Sequence, residues 1–236
     1  MASSRVQTRI LYDKIAACRL CPRLVRYRES VEPAKRFAEW KYWHKPALGF
    51  GDPNARVLVV GLAPSAHGGN RTGRVFTGDP SGDFLFDAIY KAGFSNQPQS
   101  VSMDDGLSLK DLYVTAVVKC APPDNKPERI EAARCSDTFL VNEMRALKGV
   151  RIIIPLGAFA HKWLEYALAR LGIDAAGMGD FGHGKRYAAG PYTILTSYHV
   201  SPRNTNTGTL TERMFVTVLK QAKALAASPS GYPKSV

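Results

Sequence analysis

Residues 56–79 read RVLVVGLAPSAHGGNRTGRVFTGD, and the architecture of the chain follows from this stretch. Val57 to Val60 form a short apolar run rich in β-branched residues, which predicts a buried strand. A glycine-rich loop comes next, and Asp79-Pro80 then precedes a segment in which apolar residues recur with helical periodicity. Asp is a favoured N-cap and proline is favoured at the first helical position. The stretch therefore predicts a strand, a long loop and a helix, the arrangement at which ligands bind in open α/β sheets.

Three further apolar runs predict strands, and each is followed by a segment with helical periodicity. These strands are expected at residues 112–118, 150–156 and 192–196, and helices are expected at 80–92, 127–147, 157–171 and 209–226. Strands that alternate with helices predict the α/β class, here a three-layer α/β/α sandwich around a mostly parallel four-stranded sheet. No linker interrupts the pattern, so we expect a single domain over residues 1–236, with disorder at residues 1–5 and 228–236.

The chain has 236 residues and a formal net charge of +12, which favours a polyanionic partner such as nucleic acid. Its hydrophobic fraction of 45% is enough to build a core, yet no apolar run is long enough to span a membrane. The first ten residues also lack the apolar region of a signal peptide. We therefore expect a soluble cytoplasmic protein, associated with the nucleoid in a prokaryote, and we expect it to be a monomer.

Three loops carry the polar residues of the predicted sheet edge. The carboxyl ends of parallel strands meet at one edge, so the loops at 62–79, 119–126 and 198–208 are expected to lie together. This arrangement brings three polar residues into one cleft: Asp79, Asn125 and His199. Neither the dinucleotide fingerprint nor the P-loop fingerprint occurs in the first loop, whose two arginines suit an anionic polymer instead. The alternative is a structural loop in which the aspartate only caps the helix that follows.

The four cysteines include one close pair, Cys18 and Cys21, in a C-x2-C spacing, while Cys120 and Cys135 stand far away in sequence. Disulfides are rare in cytosolic proteins, which makes metal ligation a natural use of the thiolates. Four thiolates with one close pair fit either a tetrahedral zinc ion or a [4Fe-4S] cluster. Four unrelated buried thiols are the remaining alternative.

Residues 28–50 are mixed and aromatic, with basic residues between the rings, most densely in residues 35–45, which read KRFAEWKYWHK. Such interleaving suits the binding of a single nucleic-acid strand, since bases stack on aromatic rings and phosphates pair with cations. The alternative, which we favour from sequence, is an irregular layer that covers the sheet.

Three motifs and the four cysteines together resemble the family 5 (type b) uracil-DNA glycosylases, the iron–sulfur members of the uracil-DNA glycosylase superfamily. The motifs read GLAPSAHGGNRTGRVFTGD from residue 61, KCAPPDNKP from residue 119 and HVSPRNTNTGTLT from residue 199. The resemblance implies an α/β/α sandwich and a monofunctional enzyme that flips uracil out of DNA and hydrolyses its N-glycosidic bond, leaving an abasic site. It also implies a structural [4Fe-4S] cluster held by Cys18, Cys21, Cys120 and Cys135.

The resemblance assigns roles to individual residues of these motifs. Asp79 would position water or stabilise the oxocarbenium-like sugar, Asn125 would contact the base or the water, and His199 would hydrogen-bond the oxygen of the departing base. Phe76 would stack on the flipped base. The remaining residues of the base pocket would be Gly61, Ala63 and His67. The residues expected to contact DNA are Arg71, Arg74, Arg203 and Asn204.

Two departures from the family pattern bear on the choice of base. Leu62 stands where related families carry an acidic residue, and Ala116 stands where they carry an asparagine that reads uracil. Loss of that asparagine predicts a broad selectivity that extends to other deaminated bases such as hypoxanthine. Double-stranded DNA that contains a deaminated base is therefore the expected partner, and single-stranded DNA is a second candidate.

Two other classes of function compete with base excision. A DNA- or RNA-binding module with a structural metal would explain the charge and the cysteines, but not the predicted convergence of carboxylate, amide and imidazole groups. An iron–sulfur nuclease or electron-transfer protein is the second class. A nuclease would need a cluster of carboxylates for metal ions, and the three loops supply only Asp79 and Asp124.

Overall fold

The computed structural model describes residues 3–228 of the chain. Its centre is a six-stranded sheet with the strand order β1-β3-β2-β4-β6-β5. The strands are β1 (Phe50–Gly51), β2 (Val57–Gly61), β3 (Leu112–Ala116), β4 (Ile152–Pro155), β5 (Arg186–Ala189) and β6 (Tyr192–Leu195). The four inner strands run parallel, whereas each edge strand is antiparallel to its neighbour.

The inner strands are those that the sequence predicts, and their apolar runs reflect burial on both faces. Every residue of β2, β3 and β4 is buried, as expected for a parallel sheet between two helical layers. Val57 of β2 pairs with Leu112 of β3 on one side and with Ile152 of β4 on the other. The carboxyl ends of these strands therefore share one edge, and the three predicted loops begin there.

The helices are α1 (Ser4–Ala16), α2 (Pro22–Ser30), α3 (Gly69–Thr72), α4 (Pro80–Lys91), α5 (Arg129–Cys135), α6 (Val141–Ala146), α7 (Gly157–Arg170), α8 (Pro202–Asn206) and α9 (Glu212–Ala227). A π-helical turn (Ser136–Leu140) joins α5 to α6, so the helix predicted at 127–147 is one continuous helical segment. None of the helices in residues 3–228 is long and apolar enough to cross a membrane.

The helices cover both faces of the sheet and enclose a core on each side. On one face the core contains Ile15 of α1, Leu24 of α2 and Trp163 of α7. On the other face Leu85 of α4 and Phe215 of α9 belong to a second core. The predicted three-layer α/β/α sandwich is therefore confirmed.

The sheet is wider than the four strands predicted, because a short strand pairs along each edge. β1 lies just beyond the aromatic and basic stretch, and β5 lies in a glycine-rich stretch that reads as a surface excursion. β5 pairs with β6 through Arg186 opposite Leu195 and Ala189 opposite Tyr192. Short, partly exposed edge strands carry little apolar alternation, so the sequence gives a weak signal for them.

The ends of the chain also differ from the prediction. Disorder was expected through residue 5, but α1 begins at Ser4 because the Ser3 side chain accepts a hydrogen bond from the Val6 N–H at 3.5 Å. At the other end α9 ends at Ala227, and residue 228 still belongs to the described chain. The rest of the predicted disorder, at residues 1–2 and 229–236, lies outside the described residues.

Candidate active site

Asp79 caps the N-terminus of α4 and is held through both of its carboxylate oxygens. Oδ1 accepts a hydrogen bond from the Gly82 N–H at 2.9 Å, which is the capping interaction that the sequence predicts. Oδ2 accepts a hydrogen bond from the hydroxyl of Ser65, and the same hydroxyl accepts from the Gly68 N–H at 3.0 Å. The carboxylate is half-buried. Its orientation is therefore fixed by the loop as well as by the helix.

Gly68 is required for this arrangement because nothing larger fits beside the carboxylate. A Cβ atom at this position would overlap Oδ2 of Asp79 and the hydroxyl oxygen of Ser65. The glycine at this position thus allows the backbone of the loop to lie close to the Asp79 carboxylate. The role of Ser65 was not predicted from sequence, because a single serine in a polar loop belongs to no recognisable motif.

Phe76 lies across the end of β2, and a glycine makes room for it. The ring is buried, with 8% of the residue exposed, and its backbone has a left-handed φ of 53°. A Cβ atom on Gly61 would overlap the ring of Phe76. The ring centroids of Phe76 and His199 are 6.2 Å apart, with the planes tilted by 36°. The structure therefore brings a buried aromatic ring and an imidazole together at the carboxyl edge of the sheet.

His199 follows β6 and is positioned through its backbone. Its carbonyl oxygen accepts a hydrogen bond from Nδ2 of Asn204 at 2.8 Å, and Gly157 lies against its Cβ atom. Burial lowers the pKa of His199, and the nearby carboxylate of Asp79 opposes this change only in part. A pKa below the ordinary value of about 6.5 favours the neutral imidazole at pH 7.

The two asparagines of the predicted site, Asn204 and Asn125, lie in different surroundings. Asn204 is half-buried and its Nδ2 donates to the His199 carbonyl, while its contact with DNA stays a prediction. Asn125 is exposed and lies in a tight turn with a left-handed φ of 56°. Among the described residues, no hydrogen bond joins its side chain to Asp79 or His199. The structure thus groups Asp79, Phe76 and His199, while Asn125 lies on the adjacent exposed loop after β3.

Two further residues of the predicted base pocket have structural contacts. His67 Nδ1 lies 3.0 Å from the hydroxyl of Tyr42, and the two rings meet edge to face at 6.0 Å. Ala63 is half-buried and packs against the core on the α1 face of the sheet. The His67 side chain therefore links the long loop to the 35–45 segment.

Residues 48–223 match the family model of the uracil DNA glycosylase superfamily, a match that covers most of the chain and all three loops of the site. The chain belongs to this superfamily. Relatives named type-5 uracil-DNA glycosylase show how far the similarity extends. The protein from Thermus thermophilus is 50% identical over 214 residues, which cover 90% of this chain and 95% of the relative.

Two other type-5 relatives give the same result. The protein from Pyrobaculum aerophilum is 46% identical over 212 residues, which cover 90% of each chain. The protein from Mycobacterium bovis is 44% identical over 216 residues, which cover 90% of this chain and 79% of the relative. These matches confirm the resemblance that the three motifs indicate.

In this uracil-DNA glycosylase superfamily member, all four cysteines line one small, largely apolar cavity. They come from the segment between α1 and α2, from the end of β3 and from the end of α5. Cys120 and Cys135 are buried, whereas Cys18 and Cys21 are half-buried. The end of α5 and the end of β3 therefore bring Cys135 and Cys120 to the same cavity as the N-terminal pair.

Donors surround the sulfur atoms of this cavity. Nη1 of Arg28 donates to Sγ of Cys120 at 2.9 Å, and Nη2 donates to the Cys18 carbonyl at 3.0 Å. The backbone N–H of Lys119 lies 3.3 Å from Sγ of Cys135. Arg28 is 1% exposed, and a buried arginine is costly unless it faces acceptors or negative charge. Sequence reasoning missed this residue because arginine in an amphipathic helix reads as a solvent-facing side chain.

Four thiol groups line the cysteine cavity, which is small and apolar. Within residues 3–228, no three His, Cys, Asp or Glu side chains are placed so that they could hold a metal ion. Burial raises the pKa of Cys120 to about 11 and also raises that of Cys135, so thiolates here require a cationic partner. Four sulfurs around one apolar space, with donors to two of them, provide the thiolate ligands that both zinc sites and iron–sulfur clusters use.

Arg71 and Arg74 are not exposed phosphate clamps, which corrects the prediction. Arg71 donates from Nε to the His67 carbonyl at 2.7 Å and from Nη2 to the Gly78 carbonyl at 2.8 Å. Arg74 pairs with Asp105 at 2.6 Å in an ion pair whose two side chains are 3% and 4% exposed. Both arginines hold the long loop in shape, since the loop contains few apolar side chains that could do so.

Arg203, the third arginine predicted to contact DNA, differs from Arg71 and Arg74. It is exposed on α8, and it makes no ion pair with another described residue. α8 begins just after His199, so Arg203 stands at the rim of the site. The predicted interface therefore keeps one of its three arginines.

Proposed function

We propose that this chain is a monofunctional DNA glycosylase that hydrolyses the N-glycosidic bond of uracil in DNA and leaves an abasic site. The observation that carries the proposal is the grouping of Asp79, Phe76 and His199 at one sheet edge in a chain closely similar to type-5 uracil-DNA glycosylases. The proposal assigns DNA as the partner. The protein acts as a monomer in the cytoplasm, at the nucleoid in a prokaryote.

Cleavage of the bond between sugar and base separates charge, and the site carries one group for each pole. Positive charge develops on the sugar, where the carboxylate of Asp79 stabilises it or orders the attacking water. Negative charge develops on the base, where neutral His199 donates a hydrogen bond to the base oxygen. Fixed groups of this kind stabilise the transition state without having to reorganise. Ser65 positions the carboxylate and Asn204 positions the imidazole.

Base recognition rests on stacking more than on hydrogen bonds. Phe76 supplies a rigid aromatic face beside His199, and Gly61 leaves space for that ring. Ala116, at the end of β3, is 1% exposed and has no polar group with which to read uracil. We therefore propose that the enzyme also accepts other deaminated bases such as hypoxanthine, with Asn125 as an additional contact from the exposed loop.

Flipping the base requires contacts that offset the cost of unstacking, a few kcal/mol. The net charge of +12 favours association with duplex DNA. Arg203 lies four residues after His199, on the exposed side of α8. It contacts a phosphate or fills the gap that the flipped base leaves between its neighbours. The same surface accepts single-stranded DNA, in which no base pair has to be broken.

The cysteines hold a [4Fe-4S] cluster with a structural role. The residues that bind it are Cys18, Cys21, Cys120 and Cys135, and Arg28 donates to one of the sulfurs. Such a cluster supplies covalent ties between distant parts of the chain. These ties join the α1–α2 connection, the loop that carries Asn125, and α5.

The test is an oligonucleotide panel with uracil, hypoxanthine, xanthine or hydroxymethyluracil, in duplex and in single strands, treated with the holoenzyme and then with alkali. We expect strand breaks that need the alkali step, that occur at uracil and hypoxanthine, and that persist in EDTA. Binding without any abasic product would contradict excision and favour a binding module. Breaks that appear without alkali and vanish in EDTA would favour a nuclease.

A further inference from the structure

Residues 35–45, the covering segment, are bonded directly to the loop that carries the site. The Trp43 N–H donates to the Arg71 carbonyl at 2.9 Å, and the His44 N–H donates to the Asn70 carbonyl at 3.1 Å. These bonds attach the segment to α3, the short helix inside the loop between β2 and Asp79. The covering segment therefore lies at the carboxyl edge of the sheet, on the same side as the proposed active site.

Trp40 presents an exposed aromatic surface that is braced from the protein side. The guanidinium of Arg71 lies 4.1 Å from the Trp40 ring and 3.8 Å from the Phe37 ring. Arg71 itself is fixed by its two carbonyl partners in the loop. Trp40 nevertheless keeps 38% of its surface exposed. A tryptophan that is held in place and still exposed is a pre-organised stacking surface, because little side-chain entropy remains to be lost on binding.

The covering segment also carries four exposed cations close to Trp40 in sequence. Lys35, Arg36, Lys41 and Lys45 are all exposed, and none of them forms an ion pair with another residue in the range 3–228. One acid, Glu39, lies among them. Positive side chains next to an exposed aromatic ring form the combination with which proteins hold single-stranded nucleic acid, since phosphates pair with the cations and bases stack on the ring.

We propose that the covering segment is a second nucleic-acid contact, which binds an unpaired stretch of the DNA strand next to the lesion and stacks one of its bases on Trp40. The proposal rests on the proposed function, because it takes DNA as the substrate. Stacking needs a base outside a double helix, so the segment acts mainly on single-stranded substrates. Trp40 packs on Arg71, whose Nη2 donates to the carbonyl of Gly78, the residue that precedes Asp79.

The test compares binding of a single-stranded and a duplex oligonucleotide that carry 2′-fluoro-deoxyuridine, which slows cleavage, by fluorescence anisotropy. Trp40→Ala is expected to weaken single-strand binding by roughly 10-fold, and duplex binding by less than threefold, since stacking on one aromatic residue is worth that much. Trp40→Phe keeps a ring and is expected to retain most of the affinity. If Trp40→Ala binds each probe as tightly as wild type does, the stacking contact is contradicted.

Lysine variants test the phosphate contacts and stay valid if Trp40→Ala fails to fold. Lys41→Ala with Lys45→Ala is expected to flatten the dependence of log K on log salt for the single strand, by about 0.7 per lost phosphate contact. The matched control is Lys162→Ala with Lys220→Ala, two exposed lysines on α7 and α9, which should leave the slope unchanged. If the Lys41→Ala, Lys45→Ala double variant and the Lys162→Ala, Lys220→Ala double variant show the same salt dependence of single-strand binding, the proposal is contradicted.

The two proposals fail separately. Loss of binding in these variants with unchanged uracil excision in duplex DNA is the expected pattern. Absence of excision by wild type would contradict the glycosylase assignment, while the anisotropy measurement would still decide whether the covering segment binds a strand.

Discussion

The hydroxyl of Ser65 donates a hydrogen bond to Oδ2 of Asp79, the carboxylate oxygen that does not cap α4. Helix capping requires only one oxygen, so the bond from Ser65 is not explained by the start of the helix. Each carboxylate oxygen can accept two hydrogen bonds, which leaves capacity for a water molecule. The pair therefore indicates a carboxylate that is oriented for a purpose besides capping.

Removal of the Ser65 hydroxyl tests this orientation. Ser65→Ala should slow single-turnover excision of uracil by roughly 10-fold, because a hydrogen bond to a charged group contributes about 1.5–3 kcal/mol. Capping of α4 through Oδ1 is left intact, so the melting temperature should change little. Duplex affinity, measured on the same variant, serves as the control. A rate equal to that of wild type would show that Ser65 does not position Asp79.

The arginines of the long loop and of α8 should behave oppositely. Arg203→Ala should flatten the salt dependence of duplex binding by about 0.9 in the slope of log K against log salt, the value for one phosphate contact. Arg74→Ala should instead lower the free energy of unfolding by about 3–5 kcal/mol, because Asp105 is left buried and unpaired. Anisotropy titrations at several salt concentrations and thermal unfolding measure the two effects. A flattened slope with unchanged stability in Arg74→Ala would restore the clamp interpretation.

The difference between these arginines shows what the sequence can and cannot reveal. The buried strands, the start of α4 and the grouping of loops follow from apolar runs, Asp79-Pro80 and parallel connectivity. The burial of Arg71 cannot be predicted from the sequence, because its partners are backbone carbonyls and aromatic rings that only the folded loop brings near. The role of Ser65 and the short edge strands stay hidden for the same reason, since each depends on contacts distant in sequence.

Arg28 should influence the properties of the cysteine site. Purified protein should be brown, with broad absorbance near about 400 nm from charge transfer between thiolate and iron. Hydrogen bonds to the sulfurs are among the factors that set the potential of such a cluster. Arg28→Met, which removes the donor to Cys120, should therefore lower the reduction potential measured by voltammetry, and Arg28→Lys should restore part of it.

A colourless protein with one zinc ion per chain would contradict the cluster while leaving the fold intact. An unchanged potential in Arg28→Met would instead contradict the influence of Arg28 alone. Cys135→Ser provides a further check, because loss of one ligand should reduce the absorbance and the melting temperature together.

Acid should destabilise the protein in part through His199. Burial lowers the pKa of His199 in the folded chain, so as pH falls through about 6.5 the unfolded chain binds a proton that the folded chain does not. The free energy of unfolding then decreases, whereas above that pH the group has no effect. His199→Gln should reduce the fall in Tm between pH 7.5 and pH 5.5, measured by scanning calorimetry. The same fall in wild type and variant would show that His199 is not buried as a neutral group.

Asp79 is proposed to act on the reacting sugar, and the rate of uracil excision by Asp79→Asn on a U·G duplex under single-turnover conditions tests this role most directly. Asn is as good an N-cap as Asp, and an amide can still accept from Gly82 and pair with Ser65, so folding and duplex binding should be retained. Loss of the negative charge should slow excision by roughly 10²-fold or more, the scale of lost transition-state electrostatics. Excision at the wild-type rate, with binding unchanged, would contradict a role of Asp79 in the reaction and leave it only the role of capping α4.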